Sequence, residues 1–193
     1  MHARVGPAAA DGEFLDQRVD KLAARLDLDP PVTIERRLIT ATVDRLDEVI
    51  TTSTTSGGPS AHPLRADVQY GGRLTDLTRV SKSHSLITVG LPRPLAIGES
   101  HEFCVELSAH PRALMQRYHV LNPLRRYEDF TLRARFPPDP APRGVWRIEG
   151  IPLDAVDEYE PVGAALGLDG VGEVEVRFAY PQVGLAYGVQ WQW

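Results

Sequence analysis

Apolar and polar residues alternate singly along most of this chain. Over 100–108, Phe103, Val105 and Leu107 fall on one parity, and Glu102, Cys104 and Glu106 on the other. Phe130, Leu132, Ala134 and Phe136 stand against Thr131, Arg133 and Arg135; Val174, Val176 and Phe178 stand against Glu173, Glu175 and Arg177. At the C-terminus Tyr187, Val189, Trp191 and Trp193 oppose Ala186, Gly188, Gln190 and Gln192. A period of two places such sets on opposite faces of a strand, one buried and one wet. Less regular stretches over 32–43, 47–55, 66–70, 74–80, 85–91 and 144–151 predict further strands, with turns or connectors at 56–60, 81–84, 137–142 and 152–171. Many short strands with turn signals between them predict a mainly β fold, an antiparallel β-sandwich or alternatively a closed β-barrel.

The N-terminal part reads differently. Residues 1–11 are small, polar and Gly/Pro-containing, and are expected to form a flexible tail. Leu15, Val19, Leu22 and Leu26 then recur at helical spacing among Asp16, Arg18, Asp20, Lys21 and Arg25. That spacing predicts one short amphipathic helix over 12–29, stopped by Asp29-Pro30-Pro31. A single β domain is expected over 32–193.

Composition narrows the class. The chain has 193 residues, 42% hydrophobic and 24% charged, with a formal net charge of -5, which suits one soluble globular domain. The apolar runs are too short for a membrane-spanning helix, and residues 1–11 lack the apolar core of a signal peptide, so a cytoplasmic location is expected. One cysteine, Cys104, excludes an internal disulfide framework and a multi-cysteine zinc site. Sixteen glycines and sixteen prolines punctuate the turns.

Charge is unevenly placed. Residues 112–147 hold eight arginines and three acids, whereas residues 148–193 hold eight acids and one arginine. One reading pairs them across neighbouring strands, with Arg133 and Arg135 opposite Glu173 and Glu175. The other is an arginine surface for an anionic ligand or a partner's carboxylates, because the guanidinium fork binds both bidentately. No nucleic-acid motif accompanies the basic segment.

Catalytic signatures are missing. No histidine pair has metalloprotease spacing, no glycine loop is followed by Lys-Ser/Thr, and no serine sits in a nucleophile elbow. Cys104 is expected on an outward face between Glu102 and Glu106, which would blunt a thiolate. His101 shares the parity of Phe103 and is expected at the edge of the core. No metal, cofactor or catalytic residue is assigned. The densest constellation is 117–127, where Arg117, Tyr118, His119, Asn122, Arg125 and Arg126 gather around a turn. Loops of this kind carry binding groups on β scaffolds. Trp146, Tyr187 and Trp191 are candidates for the wall of a pocket, or for core.

The stretches RYHVLNPLRRYEDFTLRARF, GVWRIEGIPLDAVDE and GEVEVRFAYPQVGLAYGVQWQW resemble the β-rich C-terminal part of actinobacterial helix-turn-helix regulators of the XRE type. Tyr118, His119, Pro123, Arg125 and Arg126 match the first of its motifs, and Trp146 and Arg147 match the V-W-R strand. The resemblance spans residues 80–193 and implies an effector or interaction module. A helix-turn-helix domain needs about 50 residues, more than stand before the first predicted strand, so no direct binding of nucleic acid is expected.

Three functions compete at this level. The first is a binding module, regulatory in role, that takes a small anionic ligand or a partner protein through the 117–127 loop. The second is a small β-barrel or sandwich enzyme, a cyclase or isomerase of secondary metabolism, with Tyr187, Trp191 and Trp193 lining its pocket and His119 or Tyr118 as acid or base. The third is a self-assembling structural protein, a homo-oligomer joined at strand edges.

Overall fold

The computed structural model describes residues 14–54, 63–109, 111–161 and 163–193. The expected tail at 1–11, the connector at 56–60 and His2, His62 and His110 lie outside them. Twelve strands form among the described residues: β1 (Leu15–Arg25), β2 (Val32–Ala41), β3 (Leu46–Thr54), β4 (Arg65–Tyr70), β5 (Arg73–Arg79), β6 (His84–Leu95), β7 (Ser100–Ser108), β8 (Tyr118–Leu121), β9 (Tyr127–Arg135), β10 (Gly144–Pro152), β11 (Glu173–Ala179) and β12 (Leu185–Gln192). Single 3-10 turns occupy Arg112–Leu114 and Leu153–Ala155. The protein is thus mainly β, as its alternation predicts. No described helix is long and apolar enough to cross a membrane.

Three sheets share the strands. The largest has the order β11-β9-β1-β2-β7-β4, and two three-stranded sheets have the orders β10-β12-β8 and β3-β6-β5. None of the three closes into a barrel among the described residues. One core joins Leu22, Ala24, Leu132 and Val176 of the large sheet to Val145, Val189 and Trp191 of the β10-β12-β8 sheet. A second joins Leu15, Ile39, Phe103 and Val105 to Val49, Ile87 and Val89 of the β3-β6-β5 sheet. The two small sheets therefore cover the large one side by side.

The expected helix over 12–29 is corrected: Leu15–Arg25 is a strand. It runs antiparallel to β2 and parallel to β9. The buried residues are Leu15 and Gln17, then Asp20, Leu22, Ala24 and Leu26. Their parity changes because a bulge lies between Gln17 and Val19. The extra residue breaks the period of two, and polar Gln17 and Asp20 occupy inward positions. What remains visible as apolar, at 15, 22 and 26, mimics a helical stripe. Tertiary pairing on both flanks then overrides local preference. The parallel β1–β9 pair also departs from the wholly antiparallel expectation, and its partners are too distant in sequence to leave a hairpin signal.

Other faces follow the alternation. Phe103, Val105, Phe130, Leu132, Ala134, Phe136, Val176 and Phe178 are all buried. The arginine–glutamate ladder forms as read: Glu173 lies opposite Arg135 and Glu175 opposite Arg133. Arg133 Nε is 3.1 Å from a carboxylate oxygen of each of Glu173 and Glu175, and Arg177 Nη2 is 2.9 Å from Asp129. Cys104 is a correction. It is buried, with the larger side chains of Arg36 and Tyr70 as its cross-strand neighbours.

Candidate functional site

The buried face of β1 and β2 carries charge where the two cores meet. Leu15 belongs to one core and Leu22 to the other, and Gln17 and Asp20 lie between them on the same face. On β2, Ile39 and Ala41 are apolar, but Arg37 and Glu35 continue the same inward parity. Asp20 and Arg37 are direct cross-strand partners. Arg37 Nη2 donates to Glu35 Oε1 at 2.8 Å, and its Nε lies 3.7 Å from Asp20 Oδ2. That second distance is too long for a hydrogen bond, and both Asp20 oxygens and Arg37 Nε go without one. Such a cluster is costly to bury, so stability alone does not explain it.

A cleft of about 900 Å3 opens onto this seam. Its floor includes Thr33, Glu35 and Arg37 of β2; one wall is Thr51, Thr52, Ser53 and Thr54 of β3. The facing wall is Tyr118, His119, Val120 and Leu121 of β8, continued by Asn122, Leu124 and Arg125, with Asp154 and Asp157 at the rim. Arg125 Nη2 donates to the Ile50 carbonyl at 3.4 Å and so ties the loop after β8 to β3. Asn122 Oδ1 is buried without a hydrogen bond.

Burial sets the protonation states. Asp20 is pushed up to about 8 by desolvation, reinforced by Glu35 and opposed by Arg37 and Arg125. Desolvation weakens the charge on Arg37, but Glu35, Tyr127 and Asp20 outweigh it and hold the guanidinium protonated. His119 is pushed down to about 4 by burial, against the pull of Glu35, and is neutral at pH 7. Tyr127 rises to about 12, mainly through burial. Burial and the Asp157 carboxylate raise Tyr118. With Asp20 protonated at neutral pH, Glu35 is the ionised partner that Arg37 hydrogen-bonds.

Of the residues singled out at 117–127, Tyr118, His119, Asn122 and Arg125 line the cleft together. Arg117 and Arg126 are exposed and do not line it. The three aromatics considered as pocket wall lie elsewhere. Trp191 is packed edge-on against Phe136 and Trp193, Tyr187 against Phe178, and Trp146 lies over Gly144. His101 Nε2 donates to the Gly71 carbonyl at 2.6 Å, which accounts for it at the core edge. Burial raises the Cys104 thiol, with Glu102 adding to it and Arg36 opposing. Among the described residues no three His, Cys, Asp or Glu side chains are grouped to hold a metal.

Asp20, Glu35 and Arg37 are the residues that sequence reasoning missed. Glu35 and Arg37 did leave a signal, a charged pair on the parity of Ile39 and Ala41. Asp20 left none, because the bulge hid its parity.

No family model and no curated protein matches the chain. Solved structures do share its fold. A "putative protease" from Parabacteroides distasonis aligns over 93% of this chain and 40% of its own, at 10% identity and a TM-score of 0.58. An M1 zinc metallopeptidase from Deinococcus radiodurans aligns over 92% of this chain and 42% of its own, at 14% identity and a TM-score of 0.51. A two-domain M1 zinc metallopeptidase variant bound to L-arginine gives 13% identity over the same shares, also at 0.51. At these identities the likeness is one of fold. The chain spans about two fifths of the length of those structures.

Proposed function

We propose that this chain is a non-catalytic binding domain that takes a small organic anion, a carboxylate above all, in the cleft between β3 and β8. The observation that carries the reading is that Arg37 and Arg125 both line a 900 Å3 cleft, above the buried Asp20 carboxyl whose two oxygens make no hydrogen bond. A cleft of this size suits a drug-sized ligand, and guanidinium groups away from bulk water hold a carboxylate by charge-assisted hydrogen bonds. Neutral His119, Tyr118 and Asn122 supply orienting polar atoms. An effector-like role is in line with the resemblance to XRE-type regulators read from the sequence, and we read the three sheets as a two-layer sandwich that holds the cleft open.

The enzyme reading lacks the aromatic pocket it called for, since Tyr187 and Trp191 are buried in the core and Trp193 packs against it. Calorimetric titration with acetate, succinate and benzoate tests the binding reading. Arg125→Ala is expected to abolish the heat of binding, and Arg126→Ala to leave it intact, because Arg126 is exposed and does not line the cleft. Equal behaviour of the two variants, or no heat with wild type, would remove the proposal.

A further inference from the structure

The walls of the cleft are two outer sheet edges. β3 is the edge of its sheet and β8 the edge of another, and no described strand pairs with the outer side of either. Their backbone directions follow from two hydrogen bonds. The Ile50 carbonyl accepts from Arg125 and so faces away from β6; a period of two makes Thr52 and Thr54 face the same way. On β8 the Arg117 carbonyl accepts from the Trp191 amide, so His119 and Leu121 engage β12, and the backbone groups of Tyr118 and Val120 face outward.

Proteins ordinarily protect such edges with charges, prolines or bulges. The other four edges here are protected. β11 carries Glu173, Glu175 and Arg177, and β4 carries Arg65, Asp67 and a bulge after Val68. β5 carries Arg73, Asp76, Arg79 and a bulge after Leu74; β10 carries Arg147, Glu149 and a bulge after Glu149. On β3 the guards Asp47, Glu48 and a bulge after Leu46 all lie at its first end, whereas Thr51–Thr54, like Tyr118–Leu121 of β8, contains no ionised side chain at neutral pH, no proline and no bulge. Both unguarded stretches line one cleft, and arginine stands at its inner end.

We propose that the cleft holds a peptide segment in extended conformation, which adds a strand along the outer edges of β3 and β8 and turns its C-terminal carboxylate to Arg125 and Arg37. This rests on the anion-binding reading above and names its ligand class. Main-chain hydrogen bonds to an edge give affinity with little regard to side chains, and the carboxylate fixes direction and register.

The test uses the full chain. Acetylated random pentapeptides with a free α-carboxylate are selected by affinity, beside the same library amidated at the C-terminus. The best peptide is then remade with alternate backbone nitrogens methylated. Amidation, and methylation of the alternate nitrogens that face an edge, are each expected to weaken binding by at least about tenfold. Exchange of the Thr52 and Thr54 amides, or of Tyr118 and Val120, is expected to slow by a similar factor. Thr52→Pro removes an outward amide, which edge strands tolerate, and should weaken the peptide without unfolding the chain. Should that variant fail to fold, exchange in the wild-type protein decides. If small carboxylates bind while no peptide slows those amides, the peptide inference falls and the anion site stands. Absence of binding by either overturns both. A doubled mass in solution, with the cleft closed by a second copy, would overturn the peptide as occupant.

Discussion

Asp20 and Arg37 face each other across β1 and β2 in the middle of the protein, yet their closest polar atoms stay 3.7 Å apart. The arginine instead gives its hydrogen bond to Glu35, two residues away on its own strand. Asp20 is left fully buried beside a cation that does not hydrogen-bond it. Desolvation therefore wins over Coulomb attraction, and the carboxyl keeps its proton near neutral pH.

That protonation ties stability to pH. In the folded chain Asp20 holds its proton up to about pH 8, against an ordinary value of 3.8, so the stability it lends is full below 3.8 and is lost as pH rises to 8. His119 acts oppositely: lowered to about 4 from 6.5, it lends stability above 6.5 that is lost as pH falls towards 4. The two offset each other between 4 and 6.5, and Asp20 acts alone from 6.5 to 8. Urea unfolding of wild type and Asp20→Asn at several pH values is expected to show wild type losing ground by about 1 kcal/mol per pH unit over that upper window. Parallel curves would refute the assignment.

Breaking the pair from the other side is more severe. Arg37→Ala strands Glu35 without its cation and is expected to cost about 3–5 kcal/mol, whereas Arg37→Leu combined with Glu35→Leu should recover most of the loss. Denaturant midpoints of the single and double variants measure this. Both should lose carboxylate binding, which separates the site's chemistry from its stability.

Gly188 is expected to be intolerant of a side chain. A Cβ there would lie 2.1 Å from the His119 carbonyl and 2.8 Å from the Val120 Cα. Gly188→Ala must push β8 away from β12, at a cost of about 1–3 kcal/mol, and so displace one wall of the cleft. Thermal unfolding and ligand titration should both change. Unaltered binding would show that β8 does not shape the site.

The surface ladder should matter little. Arg133 is more than half exposed and bridges two glutamates, so Arg133→Ala is expected to cost under about 1 kcal/mol and less in high salt. Phe130→Ala, beneath the same sheet and stacked 5.8 Å from Phe178, is expected to cost about 3–5 kcal/mol. Chemical denaturation of both variants at two salt concentrations checks the contrast.

Local alternation alone makes legible the β class, nearly every strand from Val32 onwards, and the facing of Arg133 and Arg135 against Glu173 and Glu175. Those features depend on local alternation and on charges repeated at the same period, which survive in one dimension. The sequence also marked Tyr118, His119, Asn122 and Arg125, because polar and aromatic groups crowd there, although Tyr118 and His119 belong to strand β8 and not to a turn. That Leu15–Arg25 is a strand emerges from pairing in three dimensions, since its inward positions are partly polar and a bulge shifts their parity. Likewise, only the fold brings Asp20, Glu35 and Arg37 beneath the loop after β8. Their meeting depends on where two separate cores abut on one sheet, and that junction has no period along the chain.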